Sequence, residues 1–185
     1  MTDSAPLART VFVEGEETNL TAFWGVIEKI RQVHALEHGT LTILGEAHPK
    51  QRLGGFSTDR GFFVYGAVEA GELLRAAHSA LVRLNNGEPE LAIHPQCGTN
   101  LSVGLLAAAG IGLGVSAILP RRLVPQLLGA GFSALSAVQI AKQLGTLAQR
   151  HVTTALPRNL EVVGVRSLTD GLGRSSHFVQ TQFIG

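Results

Sequence analysis

The sequence predicts an α+β protein: a small mixed α/β unit carrying a His-x-x-Glu-His helix, joined to a two-helix transmembrane hairpin and closed by a C-terminal β-hairpin. Three observations predict it. The pentapeptide His34-Ala35-Leu36-Glu37-His38 closes an amphipathic stretch, two apolar runs without a charge occupy 101–119 and 123–141, and strand-like segments resume at 160–165 and 176–183. Residues 1–100 form the α/β part, 101–150 the hairpin, and 151–185 the strands that pack back on the first part.

Asn19 is a natural N-cap, and Phe23, Ile27, Ile30 and Val33 recur at helical spacing until Gly39 offers a stop. Residues 40–44 and 61–65 then read as short strands around a Gly-rich, polar loop at 45–60. Residues 68–84 read as a second amphipathic helix, with Leu73, Leu74, Ala77, Leu81 and Leu84 inward and Asn85-Asn86-Gly87 as its end. Residues 91–93 are too short for a strand and lead into His94-Pro95-Gln96-Cys97-Gly98-Thr99-Asn100, where Pro and Gly force a turn.

Each apolar run matches the roughly 20 residues that cross a bilayer core. Small residues recur every fourth position: Gly104, Ala108, Gly112 and Ser116 in the first, then Gly129, Ser133, Ala137, Ala141 and Gly145. Such stripes let helix backbones approach closely, the mode of association available in lipid. A buried hairpin in a soluble bundle is the rival reading, disfavoured because each Gly costs a water-soluble helix about 1 kcal/mol. The second helix extends to about residue 147, and Asp170-Gly171-Leu172-Gly173 is the expected turn of the C-terminal hairpin. Because a two-helix hairpin returns the chain to its starting side, both flanking parts share one membrane face.

Composition narrows the partners. Hydrophobic residues make up 45% against 16% charged, and a net charge of +1 provides no field to gather nucleic acid. The single cysteine, Cys97, cannot form an internal disulfide. No basic start followed by an apolar run opens the chain, so the expectation is a multi-pass protein of the bacterial cytoplasmic membrane with its polar part in the cytoplasm. Membrane lipid is the expected surrounding, and the stripes also allow homo-oligomers.

On a helix, His34 and His38 lie four apart and can meet on one ion, while Glu37 faces an adjoining sector where a carboxylate can take a proton from water. Catalytic zinc uses three protein ligands. Cys97 is the best third ligand, since thiolates bind Zn2+ strongly, and His94 is next. His48, His177, Glu46, Glu69 and Glu72 are weaker candidates, and His78 and His151 are read as partly exposed and interfacial. The expected activity is a membrane-anchored zinc-dependent hydrolase, a metallopeptidase acting on membrane-proximal chains. The alternative is a non-catalytic membrane protein whose His34, His38, Cys97 and one further His close a structural metal site.

At these two motifs the chain resembles a family of small bacterial membrane proteins, a domain of unknown function, that pair a His-Ala-Leu-Glu-His-like helix with a His-Pro-x-Cys-Gly-Thr-Asn-like loop before two membrane helices. The resemblance covers most of the chain and includes Gln149-Arg150-His151-Val152-Thr153-Thr154 and Ser176-His177-Phe178-Val179. A more distant membrane family pairs His-Gly-Ala-Glu-His with His-Pro-Arg-Cys-Gly-Thr. The shared pairing implies one site built from His34, Glu37, His38, His94 and Cys97. Likeness to inverted-motif zinc peptidases covers only His34, Glu37 and His38, and their distal Glu is not identifiable here.

Overall fold

Helix α1, Gly15–Ala47, runs from a stretch exposed at residues 20–26 into the centre of the molecule. In the computed structural model, which describes residues 15–94, 97–169 and 175–184, it is followed by strands β1 (Gly54–Thr58) and β2 (Gly61–Tyr65), then helix α2 (Ala70–Asn85). A 3-10 turn at Pro89–Ala92 leads to helices α3 (Gly98–Ile118) and α4 (Leu123–Ala148). A π-helical turn, Gln149–Thr153, and strands β3 (Leu160–Thr169) and β4 (Ser175–Phe183) complete the order. The expected turn at 170–173 lies outside the described residues, as does the 95–96 part of the loop before α3.

Two expectations about α1 are corrected. The helix begins before Asn19, and it does not stop at Gly39 but continues through the segment read as a strand at 40–44. Gly39 is there for packing: a Cβ on it would sit 3.1 Å from the Cβ of Ala80, so α1 and α2 touch where both carry the smallest side chains. Thr40 is accommodated in the buried helix because its hydroxyl donates to the Leu36 carbonyl at 2.7 Å. Leu41 and Leu44 thereby join Val33 and Leu36 in one core.

The stretch expected to be a loop at 45–60 contains β1, which pairs antiparallel with β2 through the two-residue turn Asp59-Arg60. The four strands form one antiparallel sheet in the order β1-β2-β4-β3. Strands from both ends of the chain therefore share a sheet, with β4 between β2 and β3. Gly61 is required at its place: φ is +143° and a Cβ would meet the Val179 carbonyl oxygen. Phe62, Val64, Val162 and Val179 from the sheet pack with Leu73, Ala76, Ala77 and Ala80 of α2 and the buried face of α1.

Helices α3 and α4 are long and apolar enough to cross a membrane. They pack antiparallel along the small-residue stripe: Gly104 faces Ala141, Gly129 faces Val115 and Leu119, and Gly145 faces Asn100. Ser133 and Ala137 are buried in the same seam. Leu105, Leu106, Leu113, Leu127 and Leu128 are exposed outside the seam.

Candidate metal centre

His34 and His38 lie on consecutive turns of α1, with ring centroids 4.2 Å apart. Each ring is held from behind. A carbonyl oxygen only accepts, so Nδ1–H of His34 donates to Thr153 at 3.0 Å and Nδ1–H of His38 donates to Ala92 at 2.6 Å. These bonds fix the tautomer that leaves both Nε2 lone pairs available, the usual support for a metal-ligating imidazole. Cys97 caps α3, and its Sγ lies 3.6 Å from His34 Nε2. One ligand atom each from His34, His38 and Cys97 falls within 4.8 Å of the others, a group that could hold a metal ion.

The third element is Glu37, buried beside the pair. Ser57 of β1 donates its hydroxyl to Glu37 Oε2. Oε1 occupies the space that a side chain at Gly55 would need. The glycine in β1 is thus the counterpart of the carboxylate on α1. Neither Gly55 nor Ser57 was singled out from the sequence, because their partner lies about 20 residues upstream and no local pattern announces the pairing.

His94 stands nearby, its ring 5.8 Å from that of His38 and tilted by 46°. Its backbone N–H donates to the Gln149 side chain at 2.8 Å, and Gln149 in turn donates to Asn100 at 2.8 Å. Gln149 is fully buried. The π-helical turn after α4 therefore does two things, fastening the loop that carries Cys97 and offering the Thr153 carbonyl to His34. Such turns recur at functional sites. The remaining candidates lie elsewhere: His48 pairs with Glu72 at 2.5 Å, and His177 donates to Val68 while contacting Ser167. His78 and His151 are exposed, as are Glu46 and Glu69.

The electrostatics follow from this crowding. Burial opposes a charge on Cys97, but hydrogen bonds with His34, His38 and Thr99 outweigh it and hold the thiol at about 5. Burial also works against a charged His34, and the sulfur and Glu37 overcome it, raising the imidazole above its ordinary value. Burial raises Glu37 despite the Ser57 hydroxyl and the two imidazoles. His94 is lowered by burial and by the neighbouring His38. The residues converge on a cavity of about 340 Å³ between α1, β1 and the loop before α3, lined by His34, Glu37, His38, Gly55, His94 and Cys97 among others.

A family model described as a domain of unknown function, DUF6391, matches residues 29–165. This chain belongs to the DUF6391 family. The matched region takes in the whole ligand cluster, both apolar helices and the π-helical turn. An uncharacterised protein of the cyanobacterium Picosynechococcus sp. is 45% identical to this DUF6391 chain over 163 residues, covering 83% of this chain and 80% of its own length. No solved structure matches it.

Proposed function

We infer that this protein is a membrane-anchored, zinc-dependent hydrolase that cleaves amide bonds close to the bilayer surface. The observation that carries the reading is the opening of three soft and borderline donors and one buried carboxylate onto a single cavity. The donor set fits zinc: two imidazoles with Nδ1 already committed, and a thiol held toward its thiolate form. The Cys97–His34 separation of 3.6 Å falls within the roughly 3.3–3.8 Å between donors that tetrahedral bonds of about 2.0–2.3 Å impose, whereas the full set spreads over as much as 4.8 Å and would draw together on an ion.

His34, His38 and Cys97 would hold the zinc ion, whose Lewis acidity would polarise a carbonyl and make water a better nucleophile near neutral pH. The chain's own contribution is proton transfer. Glu37, fixed through Oε2 by Ser57, takes a proton from water as the C–O bond forms and gives it to the amine nitrogen as the C–N bond breaks. Its raised pKa suits a group that must both accept and release a proton. Helix α3 starts directly after Cys97, so with α3 and α4 in a bilayer the cavity opens at headgroup level. Substrates would be membrane-proximal chains.

Elemental analysis of the purified protein tests the centre. About one zinc per chain is expected, lost in His38→Ala and retained in Glu37→Gln, while hydrolysis by Glu37→Gln falls by about 10²–10⁴-fold. Absence of metal from wild-type protein would remove the reading. The approach of His94 to His38 favours a second one, a closed structural site with four protein ligands. Under the hydrolase reading His94→Ala keeps its metal, and X-ray absorption counts three protein ligands rather than four.

A further inference from the structure

Strand β1 forms one wall of the cavity and is also the outer strand of its sheet. Among the described residues, no strand pairs with its far edge. In an antiparallel ladder alternate residues aim N–H and C=O at the neighbouring strand, so the residues between them aim theirs outward. Proteins normally blunt such an edge with Lys, Pro or a bulge. The five residues of β1, Gly-Gly-Phe-Ser-Thr, contain neither charge nor proline, and all five pair in regular register with β2. The register shift in this sheet lies between Val162 and Gly164 of β3, on the opposite edge.

Among the described residues the edge is also bare. Gly54, Gly55 and Phe56 are exposed, and the two glycines carry no side chain that would keep another backbone away. The nearest side chain to Gly55 is that of Glu37, whose carboxylate is anchored to Ser57 two residues along the strand. An occupant running along β1 would therefore pass directly by the carboxylate, with His34, His38 and Cys97 on the other walls of the cavity.

We propose that the outer edge of β1 binds an extended polypeptide by strand addition, laying its backbone along residues 54–57 and presenting one of its carbonyls to the His34/His38/Cys97 cluster. The step beyond binding rests on the hydrolase reading; the docking does not. Recognition is by main-chain hydrogen bonds, so the ligand class is unfolded or locally extended chain. Sequence preference comes from apolar contacts with Ile30, Leu53 and Phe56, which line the same cavity. Folded domains and compact small molecules do not present the continuous row of amides that the edge requires.

The test uses the full chain carrying Glu37→Gln in detergent micelles, with a randomised pool of fluorescein-labelled decapeptides as the probe. A selected binder is then remade with a single backbone N-methyl group at each position in turn. Affinity is expected to fall about three- to tenfold at every second position and little at those between, the value of one net hydrogen bond each time. Hydrogen exchange at β1 slows in the complex. A flat methylation profile, an unprotected β1, or no binder from the pool would overturn the proposal. Cleavage by wild type with a flat profile would keep the hydrolase reading and discard strand addition, whereas an alternating profile without cleavage would do the reverse.

Discussion

The sheet unit and the helical hairpin pack by opposite rules. In the unit large apolar side chains fill the centre: Leu36, Leu44, Phe62, Leu73 and Leu84 are almost fully enclosed. In the hairpin the innermost positions are Gly129, Ser133, Ala137 and Gly145, while Leu105, Leu106 and Leu113 remain 63%, 74% and 73% exposed. The first arrangement gains stability by removing apolar surface from water. The second brings backbones together and turns its apolar surface outward, which is favourable where the surroundings are themselves apolar. One chain thus carries two folding regimes, and the candidate centre lies at their junction.

The largest expected effect separates the regimes directly. Leu36→Ala removes side-chain volume from the enclosed core and should destabilise the protein by about 2–5 kcal/mol. Leu113→Ala removes the same atoms from an outward hairpin position and should change stability by less than about 0.5 kcal/mol. Thermal unfolding of both variants in one detergent checks this. Equal destabilisation would mean that the outer hairpin face is packed against something as tightly as the core.

That contrast also explains what the sequence made legible. The hairpin was readable because its rule is local: an uncharged run of about 20 residues and a repeat of four need no knowledge of the rest of the chain. His34, His38 and Cys97 were readable for a similar reason, since the first two share a helix face and the third is the one thiol present. The continuation of α1 past Gly39 was not. A glycine followed by the alternating Thr40-Leu41-Thr42-Ile43 matches a helix stop and a strand, and what overrides this is the contact with Ala80, 41 residues away in sequence. The supports of the centre were hidden in the same manner. Ala92 and Thr153 act through main-chain carbonyls, which carry no residue signature, and Gly55 and Ser57 act on Glu37 only because β1 folds against α1.

The glycines sharpen the comparison at a smaller scale. Gly39→Ala puts a methyl group 3.1 Å from the Ala80 Cβ between two packed helices, and should cost about 1–3 kcal/mol. Gly112→Ala enters open space and should be neutral or gain up to about 1 kcal/mol from helix propensity. Denaturant midpoints of the two variants decide it. A loss at Gly112 comparable with that at Gly39 would place a partner helix against α3, and the accompanying rise or fall in oligomer size would identify it as a second copy of the chain.

The smallest effect leaves the fold unchanged and reports only on the junction. Cys97 belongs to the hairpin as the cap of α3, yet its thiol is held near 5 by His34 and His38 of α1 in addition to Thr99 of its own helix. In metal-free protein the rate of alkylation by iodoacetamide follows the thiolate fraction. It should therefore be flat above about pH 6, fall to half near pH 5, and be suppressed when zinc is added. A folded-state pKa below that of the unfolded thiol means that this ionisation stabilises the folded protein fully above the unfolded value, progressively less as pH falls, and not at all below about 5. His34→Ala should move the half-rate upward toward that of an ordinary cysteine. A wild-type half-rate already near 8.5 would mean that α1 and the start of α3 do not meet in solution, and the two regimes would then have no common centre.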